Sequence, residues 1–313
     1  MARATSIAGC LAVCLTLWGP ALGQNASPAA LPLQAAVVDA MRGRPGAAVV
    51  IDVDTGKILA EYHPEVAARR LALPGSSLKP FTLFALLQAG KVSPQTTLMC
   101  KRPLTLAGHN LDCTHPDIEQ PFDPVMAVAY SCNVWFTSMA VRLTPAEWRS
   151  SLLQFGFASP SGLARHEATG VVDLAGTPEE LQLQAIGEGG IHVTPLELLR
   201  AYQKLALLRT QHEGSLDPLF AGLEASVSYG MGHLAQPAAA MTVAGKTGTS
   251  LVEEGAWRHG WFAGYAPADK PQVALVVFLE KGNGPVDAAG VAREIFAAYA
   301  ARRGDRQAQG ASR

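Results

Sequence analysis

The chain has 313 residues, of which 49% are hydrophobic and 16% charged, so it can bury one sizeable hydrophobic core. Its formal net charge is only −1. This balance argues against a nucleic-acid-binding protein, which usually presents an excess of basic residues, and we expect no nucleic-acid partner.

Residues 1–23 have the pattern of a secretory signal peptide. Arg3 supplies a basic start, an apolar run extends from Ile7 to Trp18, and Ala21-Leu22-Gly23 offers small residues for cleavage. The apolar run is too short to span a bilayer comfortably. We therefore expect export to the periplasm or cell surface, with membrane association only if this segment stays uncleaved.

A linker and a β-hairpin are predicted next. Residues 24–45 begin with an Ala- and Pro-rich stretch and are interpreted as a linker and lead-in. From Gly46, β-branched residues predict strands over 47–53 and 57–62, separated by Asp54-Thr55-Gly56. Asp-x-Gly between two such runs is typical of a hairpin.

The hairpin leads into Pro74-Gly75-Ser76-Ser77-Leu78-Lys79-Pro80, which is followed by the apolar run 81–87. Ser76 occupies the expected N-terminus of a helix that Gly90 ends. Ser76 and Lys79 then lie one helical turn apart on the same face. An amine at this position can take the serine proton, and the free N–H groups of the first turn favour developing negative charge.

The remaining elements complete an α+β pattern. Helices are expected over 127–143, 145–155, 178–186 and 195–208, strands over 240–250, 258–266 and 272–280, and a closing helix from Asp287. Strands at both ends predict one antiparallel sheet flanked by helices, beside an all-helical lobe. Residues 46–303 are then one domain, and 304–313 are expected to form a disordered polar tail.

Two further motifs accompany Ser76-x-x-Lys79. Ser131-Cys132-Asn133 is the only Ser-x-Asn in the chain, and Lys246-Thr247-Gly248-Thr249 contains the only Lys-Thr-Gly. Ser-x-x-Lys alone is a weak signal, because a helix-capping serine followed by a solvated lysine has the same pattern. The order and spacing of all three motifs resemble those of the penicillin-binding transpeptidases and their serine β-lactamase relatives. The resemblance includes 185–196 and 261–267, and it covers about residues 45–302.

The resemblance implies roles for the first two motifs. Ser76 corresponds to the nucleophile that becomes acylated, and Lys79 to the group that receives its proton. Ser131 would relay a proton to the leaving amine. Asn133 would orient the substrate or Lys79 by hydrogen bonding.

The third motif is expected to bind the substrate. Lys246 would supply positive charge near Ser131 and the substrate carboxylate, and Thr247 and Thr249 would hydrogen-bond that carboxylate. Gly248 would allow the strand to approach the substrate backbone closely. The backbone N–H groups of Ser76 and Thr249 are the expected oxyanion hole.

The resemblance implies a peptidoglycan D,D-transpeptidase that acts on D-Ala-D-Ala stem peptides through an acyl-serine and binds penicillin and other β-lactams covalently, without a metal or cofactor. A D,D-carboxypeptidase or a serine β-lactamase is the alternative among enzymes. A non-catalytic β-lactam or peptidoglycan sensor or scaffold is the alternative from another class. The lack of a glycosyltransferase module and of an N-terminal pedestal favours a specialised role with another cell-wall enzyme as partner.

Three cysteines call for a separate interpretation. Cys100 and Cys113 have His109 and His115 nearby. In an exported protein the pair predicts a disulfide. A Cys2His2 metal site is the alternative, although the close Cys-x-x-Cys pair typical of structural zinc is missing. Cys132 is expected to be a small buried residue with an unpaired thiol.

Overall fold

The computed structural model describes Met1 and residues 32–211, 214–238, 241–251 and 257–311, with side chains described up to residue 304. The signal peptide predicted over 1–23 lies outside the described residues except for Met1, as does the first part of the predicted linker. Among the described residues, no helix combines the length and apolar character that a bilayer crossing requires.

The described part of the chain alternates between short strands and helices. Its strands are β1 Gly46–Asp52, β2 Ile58–Tyr62, β3 Thr105–Leu106, β4 His109–Asn110, β5 Val171–Val172, β6 Ile191–His192, β7 Ala244–Leu251, β8 Arg258–Ala266 and β9 Val273–Leu279. Its helices are α1 Leu33–Met41, α2 Pro64–Arg69, α3 Lys79–Gln88, α4 Pro124–Ala129, α5 Asn133–Ala140, α6 Pro145–Phe155, α7 Pro178–Ile186, α8 Pro195–Gln211, α9 Asp217–Ser228 and α10 Ala289–Ala311. A 3₁₀ turn at Gly75–Leu78 precedes α3.

Five strands form one antiparallel sheet in the order β2-β1-β9-β8-β7. The two ends of the chain meet where β1 pairs with β9, from Gly46 opposite Leu279 to Asp52 opposite Val273. This pairing confirms the α+β class and the predicted sheet. β7, which carries the Lys-Thr-Gly motif, lies at the edge of the sheet.

Helices cover both faces of this sheet. Alternate residues of β1 point to opposite faces, so Val49 and Ile51 join the core that contains α8, whereas Ala48 and Val50 join the core that contains α1 and α10. With both faces buried, the strands can be apolar at nearly every position. The sheet is therefore a rigid support for β7.

Both ends of the domain are more helical than the sequence predicted. Within the predicted linker and lead-in 24–45, Leu33–Met41 form α1, because Leu33 and Val37 lie one turn apart and are only 2% and 0% exposed against the sheet. The preceding Ala- and Pro-rich composition obscured this short pattern. At the other end, α10 continues through Gly304 to Ala311, where the sequence predicted the start of a disordered tail over 304–313; residues 312 and 313 lie outside the described residues.

The helix predicted over 127–143 is two helices, α4 and α5. Ser131 has a φ of 57°, in the left-handed region, so α4 cannot continue through it. Cys132 then caps α5, because its sulfur accepts a hydrogen bond from the backbone N–H of Trp135 at 3.4 Å. The break places the Ser-x-Asn motif at a turn rather than inside a helix.

Aromatic contacts fix α3, the helix that begins at Lys79. The ring of Phe81 meets the rings of Phe155, Phe157 and Tyr202 edge-on, with centroids 4.9, 5.0 and 5.4 Å away. The Tyr202 hydroxyl also donates to the carbonyl of Ser77 at 2.8 Å. These contacts hold α3 and the turn before it against α6 and α8.

Candidate active site

A cavity of about 310 Å³ lies between β7, the turn at Gly75–Leu78 and the start of α5. Its lining includes polar side chains from all three motifs: Ser76, Ser131, Asn133, Thr247 and Thr249. Lys79 and Lys246 are fully buried, at 0% exposure. The structure thus gathers at one place the residues that the sequence motifs singled out.

Ser76 lies in the 3₁₀ turn rather than in the α-helix, which begins three residues later at Lys79. Neither the turn nor α3 has a side-chain cap, so the helix-capping interpretation of Ser76 is wrong. The neighbouring Ser77 hydroxyl points the other way and donates to the carbonyl of Pro74 at 2.7 Å. Ser76 is left half-buried with its side chain facing the cavity.

Lys79 is held by the second motif. Its Nζ donates to the carbonyl of Ser131 at 2.7 Å, to the Ser131 Oγ at 3.1 Å, and to the Oδ1 of Asn133. Burial lowers the pKa of Lys79 to about 8, although nearby groups such as Glu188 raise it. A lysine with this pKa is neutral in about a tenth of the molecules at pH 7, so that fraction can accept a proton.

Ser131 and Asn133 are positioned by the backbone around them. The left-handed conformation of Ser131 turns its carbonyl and its hydroxyl towards the same ammonium group. The Nδ2 of Asn133 donates to the carbonyl of Leu111 at 2.7 Å, which fixes the amide with its oxygen towards Lys79. Of the two roles predicted for Asn133, the structure shows the contact with Lys79.

The third motif contributes one fully buried lysine and two threonines. Lys246 donates to the carbonyl of Thr247 at 3.0 Å, and its pKa is lowered first by burial and then by the positive charge of Lys79. Thr247 and Thr249 line the cavity, and the Thr249 hydroxyl accepts from the backbone N–H of Gly284 at 3.0 Å. The oxyanion hole at the N–H groups of Ser76 and Thr249 stays a prediction.

Gly248 makes a close contact inside the protein, and its predicted approach to the substrate backbone stays a prediction. A Cβ built at this position would lie 2.5 Å from the carbonyl oxygen of Pro74 and 3.0 Å from the nitrogen of Ser77. The close approach is therefore between β7 and the turn that carries Ser76. The constraint on Gly248 exists within the protein itself, independently of any substrate.

Glu188 is a cavity residue for which the sequence motifs predicted no role. Its carboxyl is half-buried, and burial raises its pKa to about 7, opposed by a hydrogen bond from the backbone N–H of Leu251 and by the charges of Lys79 and Arg258. It lies in Gly187-Glu188-Gly189, beside a glycine that packs on the backbone of Gly75. Its burial and its approach to Lys79 arise only in the folded chain, so the sequence offered no signal for it.

The cysteines do not form the predicted disulfide. Cys100 and Cys113 are free thiols whose sulfur atoms lie 3.6 Å apart. Cys132 joins them, with its sulfur 3.8 Å from that of Cys113, and the Nε2 of His115 lies 3.5 Å from the sulfur of Cys100. His109 is exposed in β4 and stands outside this group. The four grouped side chains could hold a metal ion.

Comparison with known proteins identifies the family. The profile of the penicillin-binding protein transpeptidase domain matches residues 46–300, so the chain belongs to this family and the resemblance seen in its motifs is confirmed. The chain is 25% identical to the peptidoglycan D,D-transpeptidase MrdA of Acinetobacter baumannii, over 84% of this chain and 52% of that protein. It is also 25% identical to the probable peptidoglycan D,D-transpeptidase PenA of Neisseria flavescens, over 77% of this chain and 70% of that protein.

Solved structures agree with the fold. The chain is similar to Pseudomonas aeruginosa PBP2 in complex with WCK 5153, with a TM-score of 0.75 and 23% identity over 85% of this chain and 76% of that chain. Helicobacter pylori PBP2 gives a TM-score of 0.77 at 18% identity, over 87% of this chain and 63% of that chain. The chain spans about half the length of the MrdA relative.

Proposed function

We propose that this protein is a serine D,D-transpeptidase that acts on D-Ala-D-Ala peptidoglycan stem peptides and is acylated by β-lactams. The observation that carries the proposal is the buried Lys79, which is hydrogen-bonded to Ser131 and Asn133 at the cavity that Ser76 lines. It supplies a proton acceptor of lowered pKa one turn from a free serine hydroxyl. The names of the relatives support the same reaction.

In the acylation step, Lys79 takes the proton of Ser76 while the serine oxygen attacks the penultimate D-Ala carbonyl. The carbon–nitrogen bond breaks, and the proton passes through Ser131, whose Oγ lies 3.1 Å from Lys79 Nζ, to the leaving amine of D-Ala. Each N–H donor of the expected oxyanion hole, at Ser76 and Thr249, would contribute about 3 kcal/mol to transition-state stabilisation. Lys246 and the two motif threonines would hold the terminal carboxylate.

In the second step, an amine of a neighbouring stem peptide attacks the acyl-serine. The amine loses its proton to Lys79, the new amide forms, and the Ser76 oxygen recovers a proton as it leaves. The substrate strand can lie along the unpaired edge of β7, because among the described strands β7 has a neighbour only on its β8 side. A crosslink between two stems results.

The purified full chain should therefore exchange the terminal D-Ala of a stem pentapeptide for an added D-amino acid. Liquid chromatography with mass spectrometry would follow the exchanged pentapeptide and the hydrolysed tetrapeptide together. We expect exchange to exceed hydrolysis and penicillin to abolish both. Tetrapeptide alone would indicate a carboxypeptidase, rapid turnover of penicillin a β-lactamase, and no reaction of either compound a non-catalytic scaffold.

Glu188 favours D,D-carboxypeptidase activity as a second candidate. Its carboxyl lines the same cavity as Ser76 and has a pKa near 7, so above that pH it is a base positioned to take a proton from an attacking water. Water would then add to the acyl-serine carbonyl and release the tetrapeptide. The acid and base forms of Glu188 are both populated at physiological pH.

We expect Glu188→Gln to slow hydrolysis of the acyl-enzyme by about 100-fold, with acylation changed much less. Because burial raises the pKa, the basic form is lost as pH falls through about 7, so wild-type hydrolysis should rise with pH across this range. The glutamine variant should lose the rise near pH 7 and keep only the dependence near pH 8 that Lys79 imposes. The decay of a penicillin adduct in a single turnover measures both the rate of hydrolysis and its pH profile. Glu65→Gln, at an exposed position in α2, is the control; an unchanged pH profile in Glu188→Gln would rule out this role.

Export and partners complete the proposal. The signal pattern over 1–23 supports a periplasmic or cell-surface location. A solved complex of PBP2 with MreC from Helicobacter pylori, at a TM-score of 0.73 and 18% identity, supports association with another cell-wall protein.

A further inference from the structure

Next to the active site, four side chains converge that the proposed reaction does not use. Cys100, Cys113, His115 and Cys132 each offer one ligand atom, and these atoms all lie within 4.8 Å of one another. We propose that they form a structural zinc site that holds the Ser-x-Asn motif in place. The inference rests on these four residues and is independent of which reaction the cavity performs.

Three of the six distances between the ligand atoms match tetrahedral zinc, and the other three are no longer than 4.8 Å. With Zn–S bonds near 2.3 Å and a Zn–N bond near 2.0 Å, tetrahedral ligand atoms lie about 3.5–3.8 Å apart. Three of the separations are 3.6 Å between Cys100 and Cys113, 3.8 Å between Cys113 and Cys132, and 3.5 Å from Cys100 to the Nε2 of His115. Three sulfurs and one imidazole nitrogen form a Cys3His set, which is typical of structural zinc sites. All four positions come from protein, as in structural rather than catalytic sites.

Hydrogen bonds to neighbouring backbone groups already orient two of the four ligands, His115 and Cys132. The Nδ1 of His115 lies 2.7 Å from the carbonyl of Pro116, an arrangement that places the ring proton there and leaves Nε2 free for a metal. The Cys132 sulfur already accepts a hydrogen bond from the N–H of Trp135. Cys113, His115 and Cys132 are at most 6% exposed, so the group is closed to solvent on most sides.

Nearby cations offset part of the charge, although Arg102 is also paired with Asp117. Three thiolates and one Zn²⁺ sum to −1, because each bound thiol gives its proton to the solvent. Arg102 donates to the carbonyls of Cys113 and His115 at 3.1 and 3.3 Å, and its guanidinium interacts electrostatically with Cys100. The ammonium of Lys79 interacts likewise with Cys113 and Cys132.

The site connects two segments that position the active site. Cys132 stands between Ser131 and Asn133, the two residues that bind Lys79. Cys113 belongs to the loop whose Leu111 carbonyl accepts from the Asn133 amide. A metal bound to both cysteines would therefore fix the loop to the motif and act on the reaction by positioning.

The test uses the purified full chain under a thiol reductant, with Zn²⁺ added and the excess removed by dialysis. We expect one zinc per chain by elemental analysis and native mass spectrometry, and a Tm that rises by about 5 °C or more with zinc. Co²⁺ in place of zinc should give the intense visible bands of a tetrahedral site together with thiolate charge transfer. These spectra need only the wild type, so they test the site even if a ligand variant fails to fold.

Substitutions distinguish this zinc site from binding at other cysteines or histidines of the chain. Cys132→Ser and His115→Ala should each weaken zinc binding by about 100-fold or more, whereas His109→Ala should retain it. Cys10→Ser with Cys14→Ser, at positions outside the described residues, should also retain one zinc and thus controls for the number of thiols. Reduced wild type without zinc, zinc kept by both ligand variants, or a disulfide between Cys100 and Cys113 that persists under reductant would each overturn the proposal.

Discussion

Ser76→Ala is expected to abolish the covalent adduct that penicillin forms with the wild-type protein. The Ser76 side chain lines the cavity and is not used for helix capping, so its oxygen is available to attack. Removing the nucleophile of an acyl-transfer enzyme lowers the rate by about 10⁴-fold or more. Intact-mass spectrometry at intervals after adding penicillin measures the loss, and a persistent wild-type adduct argues against a β-lactamase.

Ser77→Ala is the matched control for this substitution. It removes the neighbouring hydroxyl, which bonds to the carbonyl of Pro74 and leaves the cavity lining intact. Losing that hydrogen bond should cost about 1 kcal/mol of unfolding free energy and leave acylation in place. If Ser76→Ala still formed the adduct at the wild-type rate, for instance on Ser131, the assignment of Ser76 as the nucleophile would be wrong.

The sequence predicted the core of the candidate site because chemistry there requires particular residue types. Ser76, Lys79 and Asn133 stand in motifs that occur once each, and the structure brings them together. Glu188 was missed because its significance comes from burial and from facing Lys79, which no spacing reveals. Cys132 was taken for an isolated thiol because its partners approach it only after the chain folds.

The ends of a helix could be predicted where the sequence itself contains capping residues. Helix α6 was predicted residue for residue because Thr144 and Glu147 form a capping box and Gly156 ends the helix in the left-handed conformation. The break between α4 and α5 has no such signal. Ser131 adopts its positive φ under tertiary constraint, and a serine gives no local hint of it.

Gly248→Ala is expected to lower the stability of the protein strongly. The new methyl group would lie 2.5 Å from the Pro74 carbonyl oxygen and 3.0 Å from the Ser77 nitrogen. Both are backbone atoms, so no side-chain rotation can relieve the overlap. We expect the free energy of unfolding to fall by about 3 kcal/mol, at the upper end for overpacking. Urea unfolding would measure this loss, with the same m-value expected for the variant and the wild type.

Gly290→Ala provides the matched comparison, because a Cβ at that position in α10 meets nothing within 4 Å. The same chemical change should there stabilise the helix by about 0.5–1 kcal/mol. Opposite signs at the two glycines would show that the cost at Gly248 comes from the contact with the Ser76 turn. Because that contact sets the distance between Ser76 and the threonines of β7, the Gly248→Ala molecules that remain folded should also acylate more slowly. Normal acylation in a strongly destabilised variant would separate the two effects and contradict this coupling.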